Sequence, residues 1–223
     1  VLIFWPQRLV LLATPKTGTT SLEAALESLA DVAVLRPPAL KHTSARAYRA
    51  HLAPYLEAAA GAPFRVAALM REPGDWLASW YRARRREAED EAEPGRGAAR
   101  RGPARGAARG GPPGAGSDLA DPCLASFAAF VEAHLAPAPP AAADVGTQAR
   151  FLGDGAGGIA ADLLFRYDRF DAFTDFLEGE LGCELVLPRL NASPVRDISL
   201  PPALAARLRQ ARADDFALYD GLG

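Results

Sequence analysis

Apolar runs and amphipathic stretches take turns along the chain. Val1 to Phe4 and Leu9 to Ala13 are two apolar runs separated by Trp-Pro-Gln-Arg. They read as a hairpin whose second member, apolar without alternation, is a central strand. Ser21 to Leu29 carries Leu22, Leu26 and Leu29 at helical spacing. Val32 to Leu35 reads as a short second strand. Thr43 or Ser44 is positioned to cap a helix that reaches about Ala60, where Gly61 and Pro63 stop it. Phe64 to Met70 is a third strand, and the helix after it carries Trp76, Trp80 and Tyr81. Beyond residue 118 the pattern predicts helices over Cys123 to Leu135, Phe170 to Leu181 and Pro201 to Tyr219, with strands at Asp162 to Tyr167 and Glu184 to Leu187. Strands alternating with helices predict an α/β fold with three layers, a central parallel sheet flanked by helices.

Composition changes this picture in one place. Between Pro94 and Gly116 every residue is Gly, Ala, Arg or Pro. Such a tract has little apolar area to bury, so residues 87–118 are expected to be a disordered low-complexity insertion within a single domain spanning 1–223. An arginine-rich arm gripping an anionic polymer is the functional alternative. The whole chain has a net charge of −2; the tract holds five arginines and no acid, which leaves −7 on the remainder. That balance excludes a generally basic nucleic-acid-binding domain and confines any anion site to a local cluster. Cys123 and Cys183 stand sixty positions apart with no nearby histidine pair, a spacing that fits neither a zinc site nor a disulfide framework. No apolar run has the roughly 18 residues of a membrane span. A cytoplasmic protein is expected, and the abundance of alanine and arginine suggests a GC-rich bacterial genome.

The candidate chemistry lies between the second apolar run and the first helix, in Pro15-Lys16-Thr17-Gly18-Thr19-Thr20-Ser21. A helix start leaves backbone N–H groups unpaired and carries partial positive charge, so it stabilises an anion. Gly18 allows close backbone approach, Lys16 brings a full charge, and Thr17, Thr19, Thr20 and Ser21 offer hydroxyl donors. The competing explanation is a capped strand-to-helix turn, for which one hydroxyl suffices. The lysine precedes the glycine by two residues, so the stretch is not the Walker pattern of nucleotide triphosphatases.

"TPKTGTTSL" resembles the 5′-phosphosulfate loop of the sulfotransferases that use 3′-phosphoadenosine 5′-phosphosulfate. "ALMREPGDWLASWYR" resembles the 3′-phosphate signature of that family, with Arg71 at the strand end and Ser79 eight residues on. The C-terminal "LNASP", "LP" and "DDFALYDGL" are similar to the tail of bacterial and glycan-type members. The resemblance implies a P-loop-like fold, a nucleotide sulfate donor as cosubstrate, no metal, and an acceptor hydroxyl, with a saccharide favoured. It also implies that Lys16 stabilises charge on the bridging oxygen as the sulfuryl group leaves.

In-line transfer needs a base for the acceptor proton. Of the three histidines, His134 reads as a helix-end residue and His51 as a helix-face residue. His42 follows a predicted strand, where open α/β sheets gather their chemistry, and is the candidate base; a solvent-exposed cap residue is the alternative. Lys41 beside it is a candidate charge partner for the sulfuryl group. Arg196, in the loop with Asn191 and Ser193, is a candidate second phosphate contact, or part of a self-bonded turn. Arg166 and Asp168 read as a structural pair at a strand end. The rival functions are a non-catalytic nucleotide- or polyanion-binding module and a P-loop kinase.

Overall fold

The computed structural model describes residues 1–92, 119–187 and 198–222. The chain divides into two compact units, Val1–Pro73 with Gly146–Ala192 and Asp214–Gly223, and Gly74–Val145 with Ser193–Ala213.

The first unit is an α/β layered body. Its strands are β1 (Leu2–Phe4), β2 (Leu9–Leu11), β3 (Val32–Ala33), β4 (Arg65–Met70) and β5 (Leu163–Arg166), arranged in the order β3-β1-β2-β4-β5. β2, β4 and β5 are parallel, whereas β1 runs antiparallel to both β2 and β3. The sheet is therefore mixed and not wholly parallel. The cause is local: the short Trp5-Pro6-Gln7-Arg8 connection can only fold β2 back along β1 as the expected hairpin, because a parallel neighbour needs a long crossover.

Period-two alternation sorts the strand residues onto two faces. Ile3, Val10, Leu12, Val66, Ala68 and Met70 pack on one side with Tyr48, Leu56, Leu152 and Tyr219. Leu2, Phe4, Leu9, Leu11, Ala67 and Leu69 pack on the other with Leu22, Leu26, Phe173 and Leu177. The last four belong to helices α1 (Thr19–Leu26) and α8 (Phe170–Leu181). Both faces are covered, as continuous apolar strands require.

After α2 (Pro38–Lys41), Ser44 caps α3 (Ala45–Ala47) by accepting from Ala47 N–H at 3.2 Å. A π-helical segment (Tyr48–Leu52) then leads into α4 (Ala53–Ala60). Pro54 has no N–H to return to the preceding turn, which accounts for the wider winding just before it. Glu184–Leu187, expected as a strand, forms none; Leu185 and Leu187 nevertheless pack against the second sheet face.

The second unit is helical among the described residues. It contains most of α5 (Pro73–Ala92), α6 (Phe127–His134) and α9 (Pro202–Ala211). Tyr81 packs between Phe127 and Phe130, with ring centroids 5.8 Å from each. α5 continues through its charged stretch with Arg84–Glu87 and Arg85–Glu89 pairs at helical spacing. Residues 87–92, expected to open the irregular insertion, are thus its last turns. The remainder of that tract, 93–118, lies outside the described residues, as do residues 188–197. The expected C-terminal helix is two helices, α9 and α10 (Ala213–Asp220), the second belonging to the first unit; α7 (Gln148–Leu152) completes the set. Among the described residues, no helix is long and apolar enough to cross a membrane.

Candidate functional site

Because β2, β4 and β5 are parallel neighbours, their carboxyl ends share one edge of the sheet. The segments leaving that edge are residues 12–18, Arg71 and Tyr167. β3 runs in the same direction, so the segment holding Lys41 and His42 follows from this edge too.

The turn after β2 has the backbone of an anion cradle. Lys16 and Gly18 both adopt positive φ, 67° and 72°. For lysine that conformation is costly, and such strain clusters at ligand sites. Gly18 is required twice over, since a Cβ there would sit 3.2 Å from the Tyr167 ring. α1 starts with no side-chain cap. The buried Thr17 hydroxyl donates instead to Thr14 C=O at 2.9 Å, tying the turn to itself. The plain side-chain-capped turn therefore does not describe this stretch, and the Ser21 N–H at the start of α1 bonds back to Gly18 C=O at 3.0 Å. Thr19 and Ser21 are half-buried and Thr20 is exposed along the same start.

Arg71 follows the last residue of β4. Its guanidinium lies over the Tyr167 ring, 4.8 Å from the centroid, and its Nε is buried without a hydrogen-bond partner. The Tyr167 ring thus lies under the Arg71 guanidinium and where a side chain at Gly18 would press, linking the two elements that the sequence singled out separately. In the sequence Tyr167 carries no signal beyond its place at the end of a strand, which proves parallel to its neighbour β4. Ser79, half-buried, is the seventh residue of α5 and belongs to the helical unit.

His42 Nδ1 lies 2.7 Å from Ala13 C=O. A carbonyl only accepts, so Nδ1 carries the proton and Nε2 is left as the basic nitrogen. Burial, with the nearby Lys41 and Lys16 charges, pushes the His42 pKa down to about 4. The ring is neutral at pH 7, and His42, the C-cap residue of α2, is half-buried rather than solvent-exposed. The Lys41 ammonium is committed elsewhere: it pairs with Glu23 of α1 at 2.7 Å, both side chains being largely buried. That pair fixes α2, and His42 after it, against α1.

Arg166 and Asp168 form the expected pair, at 3.0 and 2.7 Å, on the exposed end of β5. Both cysteines are free thiols. Arg196, Asn191 and Ser193 lie outside the described residues. In comparisons with protein-family models, curated proteins and solved structures, nothing matches this chain.

Proposed function

We propose that the chain is a sulfotransferase of P-loop-like fold that moves the sulfuryl group of 3′-phosphoadenosine 5′-phosphosulfate to an acceptor hydroxyl, the C-terminal resemblance favouring a saccharide. The observation that carries this reading is the convergence on one sheet edge of the Lys16 turn, leading into a helix with no side-chain cap, and a strand-end guanidinium, Arg71, both beside the Tyr167 ring. Two anion-binding elements on one edge suit a ligand with two phosphoryl groups.

In this reading Thr17 to Ser21 cradle the 5′-phosphosulfate, and Lys16 offsets the charge that builds on the bridging oxygen as the S–O bond breaks. Arg71 takes the 3′-phosphate. His42 Nε2 accepts the acceptor's proton as its oxygen attacks sulfur, and the Nδ1–H bond to Ala13 holds the required tautomer. Lys41 acts through its pair with Glu23 and positions His42.

Calorimetric titration with 3′-phosphoadenosine 5′-phosphate tests the reading. Saturable binding without magnesium, weakened more than about tenfold but still measurable in Lys16→Ala and Arg71→Ala, is the expected result. No binding, or binding of ATP only with magnesium, would overturn it, the latter in favour of a kinase. One observation favours a binding-only module: with a pKa of about 4, His42 in the free chain is a weak base at neutral pH. Nucleotide binding with no transfer of labelled sulfate to a panel of hydroxyl acceptors would select that second reading.

A further inference from the structure

Gln148 is fully buried, yet it opens a short helix and touches no predicted site residue through its neighbours in sequence. Its carboxamide is wholly engaged with one residue. Oε1 accepts from Arg71 N–H at 2.9 Å, and Nε2 donates to Arg71 C=O at 2.7 Å. This is the two-bond exchange that an adjacent strand makes, performed by a side chain just past Met70, the last residue of β4 paired with β5. The two bonds fix the peptide planes on both sides of the Arg71 Cα, and so the direction in which its side chain leaves.

Gln148 is itself held firmly. Its N–H donates to Asp215 Oδ2 at 3.3 Å, and Ala149 N–H donates to Asp215 Oδ1 at 2.6 Å. Thr147 Oγ1 accepts from Arg150 N–H at 3.2 Å, completing the cap of α7. Asp215 is buried and comes from α10.

We infer that Gln148, braced by Asp215, is the positioning residue that aims Arg71 at the second phosphoryl group of the ligand. The inference rests on the reading of Arg71 as a phosphate clamp, and it assigns the selectivity for a doubly phosphorylated nucleotide to a residue that never touches it. A guanidinium misdirected by a loosened backbone loses bidentate geometry, while the cradle at Lys16 to Ser21 is left intact.

The test compares adenosine 3′,5′-bisphosphate with adenosine 5′-phosphate by calorimetry. Gln148→Met keeps the side-chain length and removes both bonds; it should weaken bisphosphate binding about tenfold and leave the monophosphate within about twofold. Gln148→Glu, which accepts but cannot donate when ionised, should fall between. In an Arg71→Ala background the effect of Gln148→Met should vanish, because the two residues act as a unit. Equal losses for both nucleotides, or a loss that persists without Arg71, overturn the inference. If Gln148→Met does not fold, Asp215→Asn is measured in its place, with a smaller loss of the same selectivity expected and unchanged selectivity counting against the proposal. A wild-type chain that binds neither nucleotide overturns the functional reading and this inference with it, an outcome no variant result can mimic.

Discussion

His42 and His134 begin from the same physical situation in different units of the molecule. Each is withdrawn from solvent, each donates Nδ1–H to a backbone carbonyl (Ala13 at 2.7 Å, Ala143 at 3.0 Å), and burial lowers the pKa of each. They differ at the other nitrogen. His134 Nε2 accepts from Arg212 Nε at 3.1 Å, and Arg212 Nη2 also donates to the His134 carbonyl at 3.0 Å. His42 Nε2 accepts no hydrogen bond among the described residues. One imidazole is closed as a structural bracket between α6 and the residue after α9; the other keeps a lone pair beside a cationic turn. What separates a scaffold histidine from a candidate base is thus the state of its second nitrogen, and not the direction of the pKa shift, which the two share.

The sharpest way to break this contrast is kinetic. Replacing His42 by Gln should cut sulfate transfer by roughly 10²- to 10⁴-fold while leaving the Kd for 3′-phosphoadenosine 5′-phosphate within a few-fold. His134→Leu should leave kcat/KM nearly unchanged and instead lower the urea midpoint, because the Arg212 guanidinium loses its ring acceptor. Equal kinetic losses in both variants would erase the distinction.

The next largest effect concerns what holds His42 in place. Lys41→Met leaves the Glu23 carboxylate unpaired in a largely buried position, and urea unfolding should register a loss of about 3 kcal/mol. The double variant Lys41→Met, Glu23→Leu should recover most of that stability. Recovered stability without recovered transfer would show that Lys41 contributes charge to the chemistry as well as position.

The smallest effect is read by pH. Both folded-state values lie below the ordinary 6.5, so the unfolded chain takes up protons before the folded one does. Stability from these two groups is complete above about pH 6.5 and is lost as pH falls. The His42 share declines down to about pH 4, and its shift corresponds to roughly 3 kcal/mol at the acid end. NMR titration of the imidazole protons distinguishes the rings. Added 3′-phosphoadenosine 5′-phosphate should raise the His42 midpoint through its negative charge and leave His134 unmoved.

How much of this was legible in the sequence depends on whether a residue's role is local. The turn from Pro15 to Ser21 was readable because strand, glycine, lysine and hydroxyls are contiguous, and Leu22 and Leu26 announce the helix behind them. The hairpin was readable from a four-residue gap, although the mixed character of the sheet was lost when strand–helix alternation was taken to govern every pair. Glu184–Leu187 shows that an apolar run reports burial before it reports pairing: its leucines found the core but no neighbouring strand. Tyr167 and Gln148 were illegible because their partners are 149 and 77 positions away, and a buried glutamine is indistinguishable in sequence from a solvated one. Lys41 was read for its charge, whereas the carboxylate that claims it sits on another helix.

The bond from Asp215 to the start of α7 has a consequence for how the protein is made. Synthesis is vectorial, and a domain consolidates only once its long-range partners have left the ribosome. Here the turn at Lys16 emerges early, yet the brace behind Arg71 needs a carboxylate some two hundred residues later. Until α10 has emerged, the start of α7 lacks the carboxylate that holds it, and the Arg71 backbone is braced only once α10 docks.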